Sequence, residues 1–194
     1  MNKKLLAILV ISSFSITAHA ADDKDSGRIT VFAGASNISS NFHNPRFSVY
    51  GGTLGAEFGF NKYASINLAG TYASFDESNF HSNSQGDTAD GWAINTRLMG
   101  KLGYPIENLS GKVRMTPYAM LGLAVESYKL EQDHAANSTF NTDDGKKINS
   151  QAGLAYGVGA DIIIEDVYVI GVSYNRSNLD TSHQQTSLTL GYRF

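Results

Sequence analysis

Four histidines, His43, His81, His134 and His183, lie far apart in the chain, each in a different polar stretch. Imidazole is a common metal ligand and titrates near neutral pH. Four such stretches held over one scaffold could assemble a metal- or pH-sensing site. No two of these histidines have the short local spacing of a ligand pair, and polar residues collect in loops for simpler reasons. Spacing therefore assigns no metal centre. A hydrolase would need a serine activated by a histidine that a carboxylate orients. His81-Ser82 and Ser182-His183 supply the residue types, but adjacent side chains rarely face each other as nucleophile and base. Asp143-Asp144-Gly145 hints at a calcium loop and lacks the ligands that would complete one. No catalytic residue is assigned, no cofactor is expected, and a lipid-modifying enzyme is kept only as an alternative.

A second set of reactive side chains is more regular. Arg28, Glu57, Arg97, Lys101, Glu126, Asp161 and Arg193 each occupy the polar register of a segment whose other register is apolar. Charges placed this way share one side of the sheet that carries them. If that side is the inside of a small closed barrel, side chains fill it. The basic and acidic groups must then pair, because an unpaired buried charge costs several kcal/mol. The expectation is a salt-bridge network plugging the interior. The alternative is a narrow, gated ion or proton path, since charged rings tune pores.

The elements that must position these charges are eight alternating segments. Period-two alternation marks a strand with one apolar and one polar face. The clearest is the last, where Leu188, Leu190, Tyr192 and Phe194 oppose Ser187, Thr189, Gly191 and Arg193. Seven earlier segments follow the same rule, with apolar registers beginning at Ile29, Tyr50, Ala64, Trp92, Ala119, Leu154 and Tyr168. Each is near the length that crosses a membrane at a tilt. Short turns at Asn61-Lys62 and Glu165-Asp166, and a longer one at 105–114, alternate with polar loops near 37–48, 76–91, 131–149 and 177–185. Bacterial outer-membrane barrels have this layout, with short turns in the periplasm and long loops outside.

Residues 1–20 read as a signal peptide. Lys3 and Lys4 form its basic start, an apolar run follows, and Ala18-His19-Ala20 offers a small-x-small cleavage site. Cleavage after Ala20 would leave 21–194 as one barrel domain. It would remove two of 15 basic residues and none of 18 acidic ones, moving the net charge from −3 to −5. Such a balance gives no support to nucleic-acid binding. Cysteine is absent, which excludes disulfides and thiolate metal sites. A soluble eight-stranded barrel, apolar inside around a ligand, is the structural alternative. It would expose the charged register over small, glycine-rich surroundings. It would also leave unexplained the aromatics near strand ends, which resemble interfacial girdles.

Several residues resemble the Ail/OmpX/PagC/Lom family of small outer-membrane proteins. They are Ala155-Tyr156-Gly157-Val158-Gly159-Ala160, Ser173-Tyr174 followed by Asn178-Leu179-Asp180, and the terminal Gly191-Tyr192-Arg193-Phe194. The clear similarity covers the last quarter to third of the chain. It implies an all-β, eight-stranded antiparallel transmembrane barrel, monomeric, with surface loops that in some members serve adhesion, invasion or complement resistance. No functional residue carries over, because the matching motifs are structural. Tyr192 and Phe194 resemble the terminal signal read by the barrel-insertion machinery.

The sequence thus leads to a surface protein of the bacterial outer membrane acting through its loops in adhesion or cell protection. Alternatives are a barrel needed only for envelope integrity and a narrow pore. Expected partners are outer-membrane lipid, the insertion machinery and a host-surface or serum protein, with no nucleic acid. Phe42, Phe47, Phe80 and Phe140 are aromatics in polar loops, the type favoured as interface anchors. They would equally pack on the rim or dip into lipid. The second loop carries Asp76, Glu77, Asp87 and Asp90 without a basic residue, which argues against an anionic, sulfated partner.

Overall fold

The computed structural model describes residues 26–41, 46–75, 88–107, 112–133, 147–179 and 182–194. The expected signal segment lies outside them. In chain order the strands are β1 (Ile29–Asn41), β2 (Arg46–Gly59), β3 (Ala64–Phe75), β4 (Thr88–Gly103), β5 (Ile106–Glu107), β6 (Val113–Asp133), β7 (Lys147–Ile164), β8 (Tyr168–Asn178) and β9 (Ser182–Arg193). All pairings are antiparallel. β4 pairs directly with β6, and β1 with β9, so the sheet closes into an eight-stranded barrel. The two-residue β5 sits in the connection expected at 105–114 and extends one rim, with Ile106 opposite Met115 and Glu107 opposite Arg114.

The eight alternating segments of the sequence are the eight wall strands. Their apolar register faces out: Leu54 and Leu121 are each 65% exposed, and Val158 and Leu188 each 59%. A continuous apolar belt of this kind is stable only against lipid. The inward register holds Thr53, Thr71, Asn95, Arg97, Lys101, Glu126 and Asp161, all buried. This polarity is the reverse of a soluble ligand-binding barrel and removes that alternative.

Both short turns have local causes. The Asn61 side-chain oxygen accepts from the Tyr63 and Ala64 amides at 2.8 and 2.9 Å, which replaces ladder bonds lost at the bend. Glu165 and Asp166 have φ of 53° and 58°, the left-handed pair of a type I′ hairpin, which matches the twist of the flanking strands. Around this turn end, Tyr168, Tyr192 and Phe194 form an edge-to-face chain with centroids 6.0 and 4.9 Å apart. The amide of Phe194 donates to Ile29 O at 2.8 Å, so the chain terminus is zipped to β1.

At the opposite, loop end, the strands run further than the alternation suggested. β1 and β2 extend to Asn41 and from Arg46. β4 starts at Thr88, β6 continues to Asp133, β7 starts at Lys147, and β8 and β9 reach Asn178 and Ser182. The physical reason is that the apolar register ends where lipid ends, while backbone pairing continues. Outward rungs become polar instead. Asn37 Nδ2 donates to Ser48 Oγ at 2.9 Å, and the Ser127 and Ser150 hydroxyls bond at 2.9 Å.

Candidate functional site in the barrel interior

The interior is layered from the turn end to the loop end. Near the turns, Lys101 of β4 projects between Glu57 of β2 and Asp161 of β7. Its Nζ donates to Glu57 Oε2 at 2.8 Å and also to Asp161 Oδ2. The same ammonium lies 4.0 Å from the ring centroid of Tyr118 on β6, a cation–π contact. Lys101 is thus held by side chains of three other strands, and its charge is compensated on three sides. Below it, at the rim, Arg28 Nη1 donates to Asp166 O at 3.3 Å, and Arg114 Nη2 lies 3.7 Å from Asp166 Oδ1. Arg193 Nε donates to Thr30 Oγ1 at 3.3 Å.

Above the lysine, Met99, Met120, Ala124 and Ala155 form a buried apolar cluster against Tyr118. Glycine makes room for the two large aromatics in this zone. Phe32 lies between Gly55 and Gly191 in register, and Tyr118 between Gly103 and Gly159. A Cβ at Gly55 would collide with the Phe32 ring, and one at Gly159 would sit 2.5 Å from the Tyr118 hydroxyl. The close approach, rather than backbone freedom, requires these glycines.

The next layer is a closed cycle of hydrogen bonds. Ser36 Oγ bonds Thr53 Oγ1 at 2.5 Å, Thr53 bonds Thr71 at 2.7 Å, and Gln185 Nε2 donates to Thr71 at 2.8 Å. Gln185 also donates to Ser187 at 3.1 Å, and Ser187 returns to Ser36 at 2.7 Å. The cycle spans β1, β2, β3 and β9 and crosses the interior. Two lumen cavities, about 40 and 50 Å³, have room for a few waters each. A filled cross-section of this kind is a plug.

The loop end differs. Ile38, Val49, Ala73 and Ala93 are buried there, each at 1% exposure, beside Glu126 of β6 and His183 of β9. His183 Nδ1 lies 3.1 Å from Glu126 Oε2, but the approach lacks hydrogen-bond angles. Among the described residues, the side-chain oxygens of Asn95 and Gln151 there, and of Asn175 and Gln185 at the level of the cycle, are buried without a hydrogen-bond partner.

The seven charges expected to form one network therefore divide. Glu57, Lys101 and Asp161 form a triad, Arg193 donates to Thr30 and lies close enough to Asp161 to act on its charge, and Arg28 turns to the rim. Arg97 and Glu126 make no ion pair with each other among the described residues, and Arg97 Nη1 is buried without a hydrogen bond. Two charges on neighbouring strands of one face need not meet, because alternate rows sit at different heights. His183 was expected in a loop. It lies on β9, facing inward, 2% exposed. Phe47 was also expected in a loop and lies on β2 opposite Ser40. Phe42, Phe80, Phe140, His43, His81 and His134 lie outside the described residues. The hydroxyl cycle and the Tyr118 contact were not singled out from sequence; their only signal was a hydroxyl or aromatic in the inward register.

A family model described as outer membrane protein beta-barrel domain matches residues 6–194. No curated protein sequence matches the chain. Among solved structures, the chain is similar to Ail, the attachment invasion locus protein of Yersinia pestis. Identity is 19% with a TM-score of 0.59, covering 87% of this chain and 99% of that one. The same protein has been solved with the heparin analogue sucrose octasulfate, at 18% identity and a TM-score of 0.58, with the same coverage of both chains. The outer membrane protein OprG from Pseudomonas aeruginosa aligns at 15% identity and TM-score 0.59, over 89% and 98% of the two chains. Neisserial surface protein A aligns at 12% and 0.59, over 87% and 98%. At such identities the likeness is one of fold.

Proposed function

We propose that this chain, which belongs to the outer membrane protein beta-barrel domain family, acts at the cell surface through the connections at its loop end. Adhesion or protection of the cell is the role that fits best. The observation that carries this reading is the filled interior. A lysine triad, an apolar cluster and a hydrogen-bonded cycle occupy successive levels, so the lumen is scaffold and the loop-end connections are left to bind a surface partner. A monomer suffices for this, and a host-surface or serum protein is the partner class.

Ail binds a heparin analogue in one of its structures. The sequence between β3 and β4 here is acidic, with Asp76, Glu77 and Asp87, so a neutral or basic partner surface fits better than a sulfated one. Replacing residues 42–45, 76–87, 134–146 and 179–181 with short turns tests the reading. Host-cell attachment or serum survival should fall while folded barrel stays in the outer membrane. If both are unchanged in cells where loss of the whole barrel has a phenotype, the protein serves envelope integrity instead. Tyr192 and Phe194 are read as the insertion signal: deleting Phe194 should lower folded barrel and leave secretion intact, and unchanged folding would refute it.

A further inference from the structure

Glu126 and His183 come from strands three apart in the wall, and both side chains are almost wholly buried, at 1% and 2% exposure. Their facing atoms, Oε2 and Nδ1, are 3.1 Å apart without the angle of a hydrogen bond between them. Two ligands of one metal ion stand in this relation. With each about 2.0–2.2 Å from the ion, they lie roughly 2.9–3.4 Å apart, and each lone pair points at the ion and past the other ligand. The neighbours are also donors. Asn95 and Gln151 flank Glu126 directly in the cross-strand register, on β4 and β7. Each has a buried amide oxygen with no hydrogen-bond partner among the described residues, and the Asn95 side chain also hydrogen-bonds to the Glu126 carboxylate. No lysine or arginine forms an ion pair with Glu126 among the described residues, although a buried carboxylate needs a counter-charge.

We propose that Glu126 and His183, with the side-chain oxygens of Asn95 and Gln151, bind one divalent first-row transition-metal ion inside the loop end of the barrel. Imidazole with carboxylate selects zinc, copper or nickel over magnesium or calcium. The ion neutralises the buried carboxylate, and the amide oxygens, with water, complete its shell. This site is a property of the strands and does not depend on the surface role proposed above.

The test uses the folded full barrel in detergent, stripped with a chelator and titrated with Zn²⁺ by calorimetry. One equivalent should bind. Glu126→Gln and His183→Gln should each weaken binding at least tenfold with heat-modifiable gel mobility retained, and Asn95→Asp should strengthen it. A triple variant, His43→Ala with His81→Ala and His134→Ala, should bind as the wild type does. Should the Glu126 and His183 variants fail to fold, Cu²⁺ paramagnetic resonance of the triple variant decides, with hyperfine structure from a single imidazole nitrogen expected. Absence of that nitrogen, no Zn²⁺ binding by the wild type, loss of binding in the triple variant, or wild-type affinity in folded Glu126→Gln and His183→Gln would each overturn the assignment.

Discussion

At the turn end of the interior, Lys101 meets Glu57, Asp161 and the face of Tyr118. At the loop end, Glu126 meets His183 off the hydrogen-bond axis, and the amide oxygens of Asn95 and Gln151 lack hydrogen bonds among the described residues. Both regions lie in one barrel and are built from the same inward register. The first has more partners than charges and behaves as a lock. The second holds a buried carboxylate that no lysine or arginine among the described residues pairs with, beside orphaned amide oxygens, an arrangement that invites a cation. Burial alone therefore does not make a polar group structural; the number of complementary neighbours within reach does. The cycle of Ser36, Thr53, Thr71, Gln185 and Ser187 separates the two.

The largest effect should come from emptying the lock. Lys101→Met leaves two carboxylates buried near each other, and about 3–5 kcal/mol of stability should be lost in urea unfolding followed by Trp92 fluorescence. Glu57→Leu should cost less, since Lys101 keeps Asp161. An equal cost at Glu57 would mean that the triad is not shared in this way. Next comes packing at the same end. Gly159→Val places its branch against Tyr118 and Val172 O, and overpacking there should cost about 1–3 kcal/mol by the same unfolding assay. Gly52→Ala, with nothing within 4 Å of the new carbon, is the control and should change little.

Breaking the divider should have a middling effect. Thr71→Val removes an acceptor for Gln185 and a bond to Thr53, for a loss of about 1–2 kcal/mol in metal-free protein. Least affected should be the loop end itself. Glu126→Gln keeps the shape and removes a buried charge that no lysine or arginine among the described residues holds, so its cost without metal should stay below about 1 kcal/mol. If that substitution destabilises as much as Lys101→Met, the two ends are alike and the contrast fails.

Strand number, the facing of each residue and the transmembrane class were legible in the sequence. Alternation is a local property, and Leu188 to Phe194 displays it without reference to anything else. Strand limits were less legible. Past the lipid boundary, Asn37 and Ser48 or Ser127 and Ser150 are polar on the outer face, so apolar periodicity vanishes while backbone pairing persists. His183 shows the consequence, since a polar neighbourhood read as loop is a strand pointing inward. The short turns were visible because their geometry depends on adjacent residues, as Glu165 and Asp166 show.

By itself, then, the sequence determined which side of every wall strand faces lipid and which faces in, because that depends only on the parity of neighbouring residues along one strand. Only the tertiary structure decided which inward residues meet. Barrel closure and strand tilt bring Lys101 to Asp161, Thr71 to Gln185 and Glu126 to His183 across 60, 114 and 57 positions of chain. The same geometry keeps Arg97 from Glu126, although β4 and β6 are neighbours. Partner choice inside a barrel depends on the height at which each strand is staggered against the next, and that offset is a property of the closed sheet.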